Sequence, residues 1–173
     1  MANTPHEPAP IDVSPTALRA ALGRYATGVT IVTCLDAEGA RVGLTANSFS
    51  ALSLEPPLVL WSLRRSSPSV AAFHTARHFA VNVLAESQVE LSRRFASPVP
   101  DRFAEGLWGA GLGGVPVLAG AAAVLECERG AEHEAGDHLL FIGVVRRLAN
   151  TAGLSAPPLL FHGGHYHMLG EVL

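Results

Sequence analysis

Between Gly43 and Ser53, five of eleven side chains carry a hydroxyl or an amide: Thr45, Asn47, Ser48, Ser50 and Ser53. A half-buried strand alternates apolar and polar residues, with one polar face in water. Here strict alternation puts Thr45 and Asn47 on one face and Leu44, Ser48 and Ser50 on the other, so neither face is purely apolar. Hydroxyls and amides inside a strand call for a partner rich in donors and acceptors. Phe49 in their midst offers a flat apolar surface. Short polar donors around one aromatic ring suit a planar, heteroaromatic, phosphorylated ligand. An ordinary hairpin edge with a Ser-rich turn is the alternative these residues leave open.

A second group is Arg64-Arg65-Ser66-Ser67-Pro68-Ser69, just before a short helical run through Phe73. A Ser cap, a Pro near the first turn and two preceding arginines make an anion site there, since free N–H groups and the helix dipole favour phosphate. A plain capped helix is the competing reading.

The C-terminal third holds His133, His138, His162, His165 and His167, with Glu132, Glu134 and Asp137 nearby. His165-x-His167 followed by Glu171 mimics the metal run of a cupin, but a cupin needs several strands after it. Metal histidines also need a closed ligand set with outer support, so no functional metal is expected. Gly111-Leu112-Gly113-Gly114 is not a dinucleotide fingerprint: no strand leads into it, and Pro116 sits where a helix should begin.

The elements that must position these groups read mainly as strands. Ser14-Pro15 starts a helix over Leu18, Ala21, Leu22 and Tyr25, with Gly28 able to end it. Val29–Thr33 is a β-branched strand, and Asp36–Gly39 turns the chain back into the Gly43 stretch. Pro57–Leu63 and His78–Leu84 are further strands, and Glu86–Phe95 is a helix. Ala96–Gly114 reads as loop. Ala121–Glu128 and Leu139–Leu148 are strands joined by Arg129–His138, and Pro158–Phe161 precedes a Gly163-Gly164 turn into His165–His167. Six or seven strands joined by short turns, with no βαβ alternation, favour an antiparallel barrel.

Composition narrows the class. A chain of 173 residues suits one domain of roughly 100–200 residues, here over residues 14–173 behind a Pro-rich tail over 1–13 expected to be disordered. Almost half the residues are apolar, which allows a buried contact with another subunit. Net charge is -3 and every basic side chain is Arg; there is no basic footprint of a nucleic-acid binder. Cys34 and Cys127 lack metal or redox spacing and read as buried thiols in a reducing cytosol. The first residues lack a signal-peptide pattern, and no apolar run is long enough to span a bilayer. The expectation is a cytoplasmic protein with no membrane or nucleic-acid partner.

Thr45-Ala46-Asn47-Ser48-Phe49, followed by Leu52-Ser53-Leu54 and Pro56-Pro57-Leu58, resembles the flavin-binding signature of the short-chain flavin reductases, the reductase components of two-component flavin monooxygenases. Tyr25–Thr30 resembles that family's first-strand entry, Gly136-Asp137-His138 its Gly-Asp-His motif, and Phe161–His167 its closing segment. The resemblance spans residues 14 to 170 and implies an FMN-binding split β-barrel, an antiparallel Greek-key barrel that forms a homodimer. It implies FMN or FAD as the flavin and NADH or NADPH as hydride donor. Cofactor contacts would come from Thr45, Ala46, Asn47, Ser48, Phe49, Ser50, Ser62, Arg65, Ser66, Ser67, Ser69, Phe95, Ala96, Gly136, Asp137, His138 and Tyr166. His138 would orient the nicotinamide nucleotide. The family has Ser-x-Ser after the signature Phe; here the first of those positions is Ala51, which puts one hydrogen bond to flavin in doubt.

In that reading flavin and nicotinamide carry the chemistry, and the protein binds and orients. Reduced flavin would pass to a separate flavin-dependent monooxygenase. Two alternatives remain on the same fold: a flavin-dependent oxidase of a small molecule, and a non-catalytic flavin- or haem-binding barrel.

Overall fold

The computed structural model describes residues 13–149 and 156–172. The tail expected over residues 1–13 lies outside the described residues except for Val13, which is exposed. Helix α1 (Pro15–Leu22) starts as its sequence dictates: the Ser14 hydroxyl accepts the Ala17 N–H at 3.2 Å, and Pro15 occupies the first turn. It ends at Gly23, not at Gly28; Gly28 lies in the two-residue strand β1 (Thr27–Gly28).

Seven strands make the main antiparallel sheet. They are β2 (Thr30–Leu35), β3 (Arg41–Ala46), β4 (Ser50–Leu54), β5 (Pro57–Arg64), β6 (His78–Val83), β9 (Ala123–Ala135) and β10 (His138–Ala149), in the order β3-β2-β6-β9-β10-β5-β4. Consecutive strands β5 and β6 are parted by the inserted β9–β10 hairpin, a Greek-key crossing. Strands β3 and β4 follow one another in the chain yet stand at opposite ends of the sheet. No ladder joins them, so the barrel is split rather than closed.

Two segments differ from the sequence reading. Arg129–His138 is not a connection: β9 runs through Ala135, and β10 starts at His138. Ala96–Gly114 is not all loop, because it contains β7 (Trp108–Ala110), which pairs with β8 (Pro116–Leu118). With β11 (Leu160–His162) and β12 (His165–His167), which join β1 in a third sheet, the described residues hold twelve strands. Helices α2 (Val70–Thr75) and α3 (Val89–Ala96) cover the main sheet.

The core has two parts. One is aromatic: Trp61 stacks on Phe141 with centroids 4.9 Å apart and meets Phe73 edge-on at 4.8 Å. The other gathers Ile31, Leu84, Phe95, Phe103 and Leu118 under α3 and the β7–β8 hairpin. Cys34 and Cys127 both oppose Phe79, one from each neighbouring strand, and both are free and fully buried. Burial pushes each thiol up to about 12, so neither is poised as a nucleophile.

Three buried polar side chains of the main sheet have one shared use. Thr33 donates to the Pro116 carbonyl, Asn82 accepts the Leu118 N–H at 2.8 Å, and the Glu126 carboxylate accepts the Leu112 N–H. Asn82 also donates to the Ile31 carbonyl at 3.0 Å. The sheet thereby supplies hydrogen-bond partners to backbone groups of residues 112–118.

Candidate active site

The polar stretch fails to alternate because it is not one strand. Strand β3 stops at Ala46, and β4 begins at Ser50. The β4–β5 register pairs Ser50 with Leu60, so two further residues along it would set Ser48 opposite Ser62. There the Ser48 side chain replaces the missing backbone: its hydroxyl donates to the Ser62 carbonyl at 2.9 Å and accepts the Ser62 N–H at 3.0 Å. Asn47 and Ser50 are exposed on either side of this corner, and Phe49 is partly buried against the aromatic core. The Ser50 hydroxyl donates to the Ala51 carbonyl at 3.2 Å. Ala46 is 8% exposed, and its carbonyl accepts the Thr30 hydroxyl at 2.7 Å.

Helix α3 lies against the other face of β3. A Cβ on Gly43 would come within 2.8 Å of the Phe95 ring, so this close approach requires glycine. Thr45, two residues on, donates its hydroxyl to the Ser92 carbonyl at 2.7 Å. The Ser92 hydroxyl pairs with the Tyr166 hydroxyl at 2.9 Å, which ties β12 to the same helix. Phe95 is 1% exposed and packs on Phe103 and Trp108, so its ring is core rather than groove wall. Ala96 is exposed at the helix end. Ser92 was not singled out from the sequence; a hydroxyl on the apolar face of an amphipathic helix was the available signal.

The hairpin tip carries the remaining groups. Gly136, with φ of 60°, and Asp137 turn β9 into β10. His138 then pairs directly with Arg64 across the β5–β10 ladder. The His138 Nδ1 lies 2.8 Å from the Asp137 carboxylate, and the Asp137 carbonyl accepts the Arg65 N–H at 2.9 Å. The hydrogen bond from His138, and then its charge, hold the Asp137 carboxyl below its ordinary value. The Arg65 guanidinium reaches Glu134 at 3.3 Å. The Ser67 N–H donates to the Arg64 carbonyl at 2.9 Å, and the Ser67 hydroxyl accepts the Ser69 N–H at 3.3 Å.

One expectation about this turn needs correction. The residue capping α2 is Ser69, only 7% exposed, and its hydroxyl makes no capping bond. Helix α2 has only six residues, so its dipole contributes little. An anion here would be held by Arg65 and the Ser66-Ser67 turn.

The structure therefore joins the first two polar groups and, of the third, Asp137 and His138, while His162, His165 and His167 lie in the separate three-stranded sheet. Ser48 bonds Ser62, Ser62 lies two residues before Arg64, and Arg64 faces His138. The signature corner, the arginine turn and the hairpin tip form one continuous edge. Tyr166 belongs to a separate cluster around Ser92 and Thr45. Among the described residues no three His, Cys, Asp or Glu side chains are grouped to hold a metal, and no helix is long and apolar enough to cross a membrane. The edge offers cations, hydroxyls and an imidazole fixed by a carboxylate, without an activated nucleophile. The chemistry of such a set suits phosphorylated, planar partners.

A mostly β split barrel carrying such an edge is the architecture of the flavin reductases. The flavin reductase like domain profile matches residues 22–170, and the chain belongs to this family. The FMN reductase (NADH) SmoA of Agrobacterium fabrum is 46% identical over 86% of this chain and 82% of its own. The reductase subunit HsaB of a flavin-dependent monooxygenase from Mycobacterium tuberculosis is 38% identical over 89% of this chain and 82% of its own. Some relatives are longer: the chain spans 44% of a probable flavin reductase of Rhizobium meliloti, at 47% identity. Among solved structures, the NADH:FAD oxidoreductase SgcE6 of Streptomyces globisporus, in complex with NAD and FAD fragments, superposes with a TM-score of 0.83. It is 35% identical, covering 90% of this chain and 92% of that one.

Proposed function

We propose that the protein is an NAD(P)H:flavin oxidoreductase that uses FMN or FAD and delivers reduced flavin to a separate monooxygenase. The observation that carries this reading is the continuous edge from Ser48 through Arg64 to His138, in a chain whose relatives include an NADH-dependent FMN reductase and a monooxygenase reductase subunit.

The residues present fit a phosphorylated flavin. Asn47 and Ser50 stand exposed beside the half-buried Phe49, which gives polar groups around an apolar ring. Arg65, Ser66 and Ser67 supply a guanidinium and two hydroxyls for phosphate. When bound, flavin accepts a hydride from the nicotinamide ring. Ser48 keeps the corner shut, so the donors on either side of it hold fixed positions. Asp137 accepts the Nδ1 proton of His138 and so leaves Nε2 aimed away from the carboxylate. His138 thereby orients the nicotinamide nucleotide without acting as a base. Rate comes mainly from holding two reactants in place.

Two copies of the chain meet in this reading through the outer face of β5 and β10. Buried Val59, Trp61 and Leu63 alternate with half-buried Leu58, Leu60 and Ser62 on β5, and Ile142 and Val144 continue that outer face on β10. Exposed Leu52 and Leu54 flank it on β4. Two free, fully buried cysteines suit the reducing cytoplasm.

The test is oxidation of NADH or NADPH by the purified protein with added FMN or FAD and no third substrate. Turnover that needs only these two partners supports the reading. Turnover that needs a further small molecule would make the protein an oxidase, and flavin binding without turnover would make it a carrier. Light scattering at micromolar concentration reads the dimer; a monomer would remove that part.

A further inference from the structure

We propose that Arg64, which is not among the cofactor contacts implied by the family resemblance, binds a phosphate of the nicotinamide nucleotide beside His138. This rests on the proposed reductase function and adds to it a residue for the hydride donor.

The two adjacent arginines do different things. Arg64 ends β5 and is the direct partner of His138 on β10. Antiparallel partners project from the same face of the sheet, with Cβ atoms about 5 Å apart. Alternation along β5 agrees: Leu63 is buried, and Arg64 is exposed on the face that carries Ser62 and Leu140. Arg65 lies beyond the strand and is already engaged, its guanidinium on Glu134 at 3.3 Å. Glu134 pairs with Leu139, so it stands on the opposite face from His138. The arginines thus diverge to the two sides of the hairpin tip.

Arg64 is also unspent. Among the described residues its guanidinium makes no ion pair and no hydrogen bond, whereas Arg65, Arg77, Arg93, Arg94, Arg129, Arg146 and Arg147 each reach a carboxylate. Asp137 is close enough to feel its charge, but that carboxylate is taken by His138. An exposed guanidinium beside an oriented imidazole is a ready partner for an anion, and its planar fork matches two oxygens of a phosphate. A nicotinamide dinucleotide offers the ring to His138 and a diphosphate to Arg64, and both groups stand on one face. The flavin phosphate, in contrast, has the Ser66-Ser67 turn, which Arg65 joins by exchanging its exposed Glu134 partner for the phosphate.

The experiment compares two hydride donors on the full chain: NADH, and 1-benzyl-1,4-dihydronicotinamide, which carries the ring without phosphate. Arg64→Gln should raise KM for NADH about tenfold, the lower end for a lost hydrogen bond to a charged group. It should leave kcat, the KM of the phosphate-free donor and the FMN dissociation constant unchanged. Arg64→Lys should recover part of the NADH affinity, and an unchanged thermal midpoint excludes misfolding. An unaltered KM for NADH overturns the proposal, as does an equal rise with the phosphate-free donor. A parallel loss of FMN affinity also overturns it, by assigning Arg64 to flavin. Failure of the underlying reductase reading looks different, because the wild type then oxidises neither donor. In that event equilibrium titration with NADH still decides: equal binding by wild type and Arg64→Gln overturns the proposal.

Discussion

The Ser48 hydroxyl does the work of a peptide group toward Ser62, donating to its carbonyl at 2.9 Å and accepting from its N–H at 3.0 Å. It sits where β4 would have continued along β5, and it holds the seam of the split barrel while leaving the neighbouring backbone free to turn. One side chain thus fixes the corner that carries exposed Asn47 and Ser50, the groups assigned to flavin in the proposed function.

Ser48→Ala should therefore act on both stability and binding. It leaves the Ser62 N–H and carbonyl without their partner, at a cost of about 1–3 kcal/mol for a buried polar group left unsatisfied. Urea unfolding measures the first effect, and flavin fluorescence titration should show weaker binding. A variant as stable as wild type would mean that water replaces the hydroxyl at no cost.

Asn82→Ala should destabilise the fold by about 2 kcal/mol, the range for a lost buried partner. Its carboxamide accepts from Leu118 and donates to Ile31, and it is 0% exposed. The loss should be local as well as global. Hydrogen exchange at the Leu118 amide should quicken more than at Val81, in the middle of β6.

That network explains where the sequence was legible and where it was not. β2, β5 and β6 could be read because they are short apolar or β-branched runs buried in the sheet. Asn82 and Glu126 were visible as polar residues inside such runs, but nothing local names their partners, which lie 36 and 14 residues away. The β7–β8 hairpin was missed because three-residue strands beside Gly111–Gly114 carry no periodicity; contacts with the sheet decide their shape. The outer part of β9 reads as a connection because Arg129–Ala135 is mostly polar and small and lacks an apolar alternation. The site motifs were legible as a resemblance, residue by residue. The partners of their side chains were not: Ser48 bonds Ser62, the Phe95 ring is buried, and Arg64 rather than Arg65 pairs with His138.

Ser66→Ala with Ser67→Ala should weaken binding of FMN more than binding of riboflavin. One lost hydrogen bond to a charged group is worth roughly 1.5–3 kcal/mol, and riboflavin has no phosphate to lose it. Fluorescence titration of both ligands checks this. Equal losses would mean that the double variant distorts the turn, where the Ser67 hydroxyl also accepts the Ser69 N–H.

Asp137 should titrate below its ordinary value of 3.8, because the hydrogen bond and charge of His138 favour the carboxylate. A depressed acid stabilises the fold above its unfolded value. The contribution of this pair is thus complete above pH 3.8 and disappears as pH falls through the lower folded-state value. Carboxyl NMR shifts measured against pH should show the low midpoint in wild type and its return toward 3.8 in His138→Ala. A midpoint that does not move on removing His138 would mean that the pair does not persist in solution.

The most direct measurement of the central claim is anaerobic stopped-flow mixing of flavin-loaded protein with NADH. The account predicts that flavin absorbance bleaches in proportion to NADH consumed, that His138→Ala slows this bleaching, and that dithionite reduces both proteins alike. A misplacement of about 1 Å can cost roughly 100-fold in rate, so the slowing should be large while flavin affinity is retained. Flavin that stays oxidised in wild type with NADH, yet bleaches with dithionite, would contradict hydride transfer at this site.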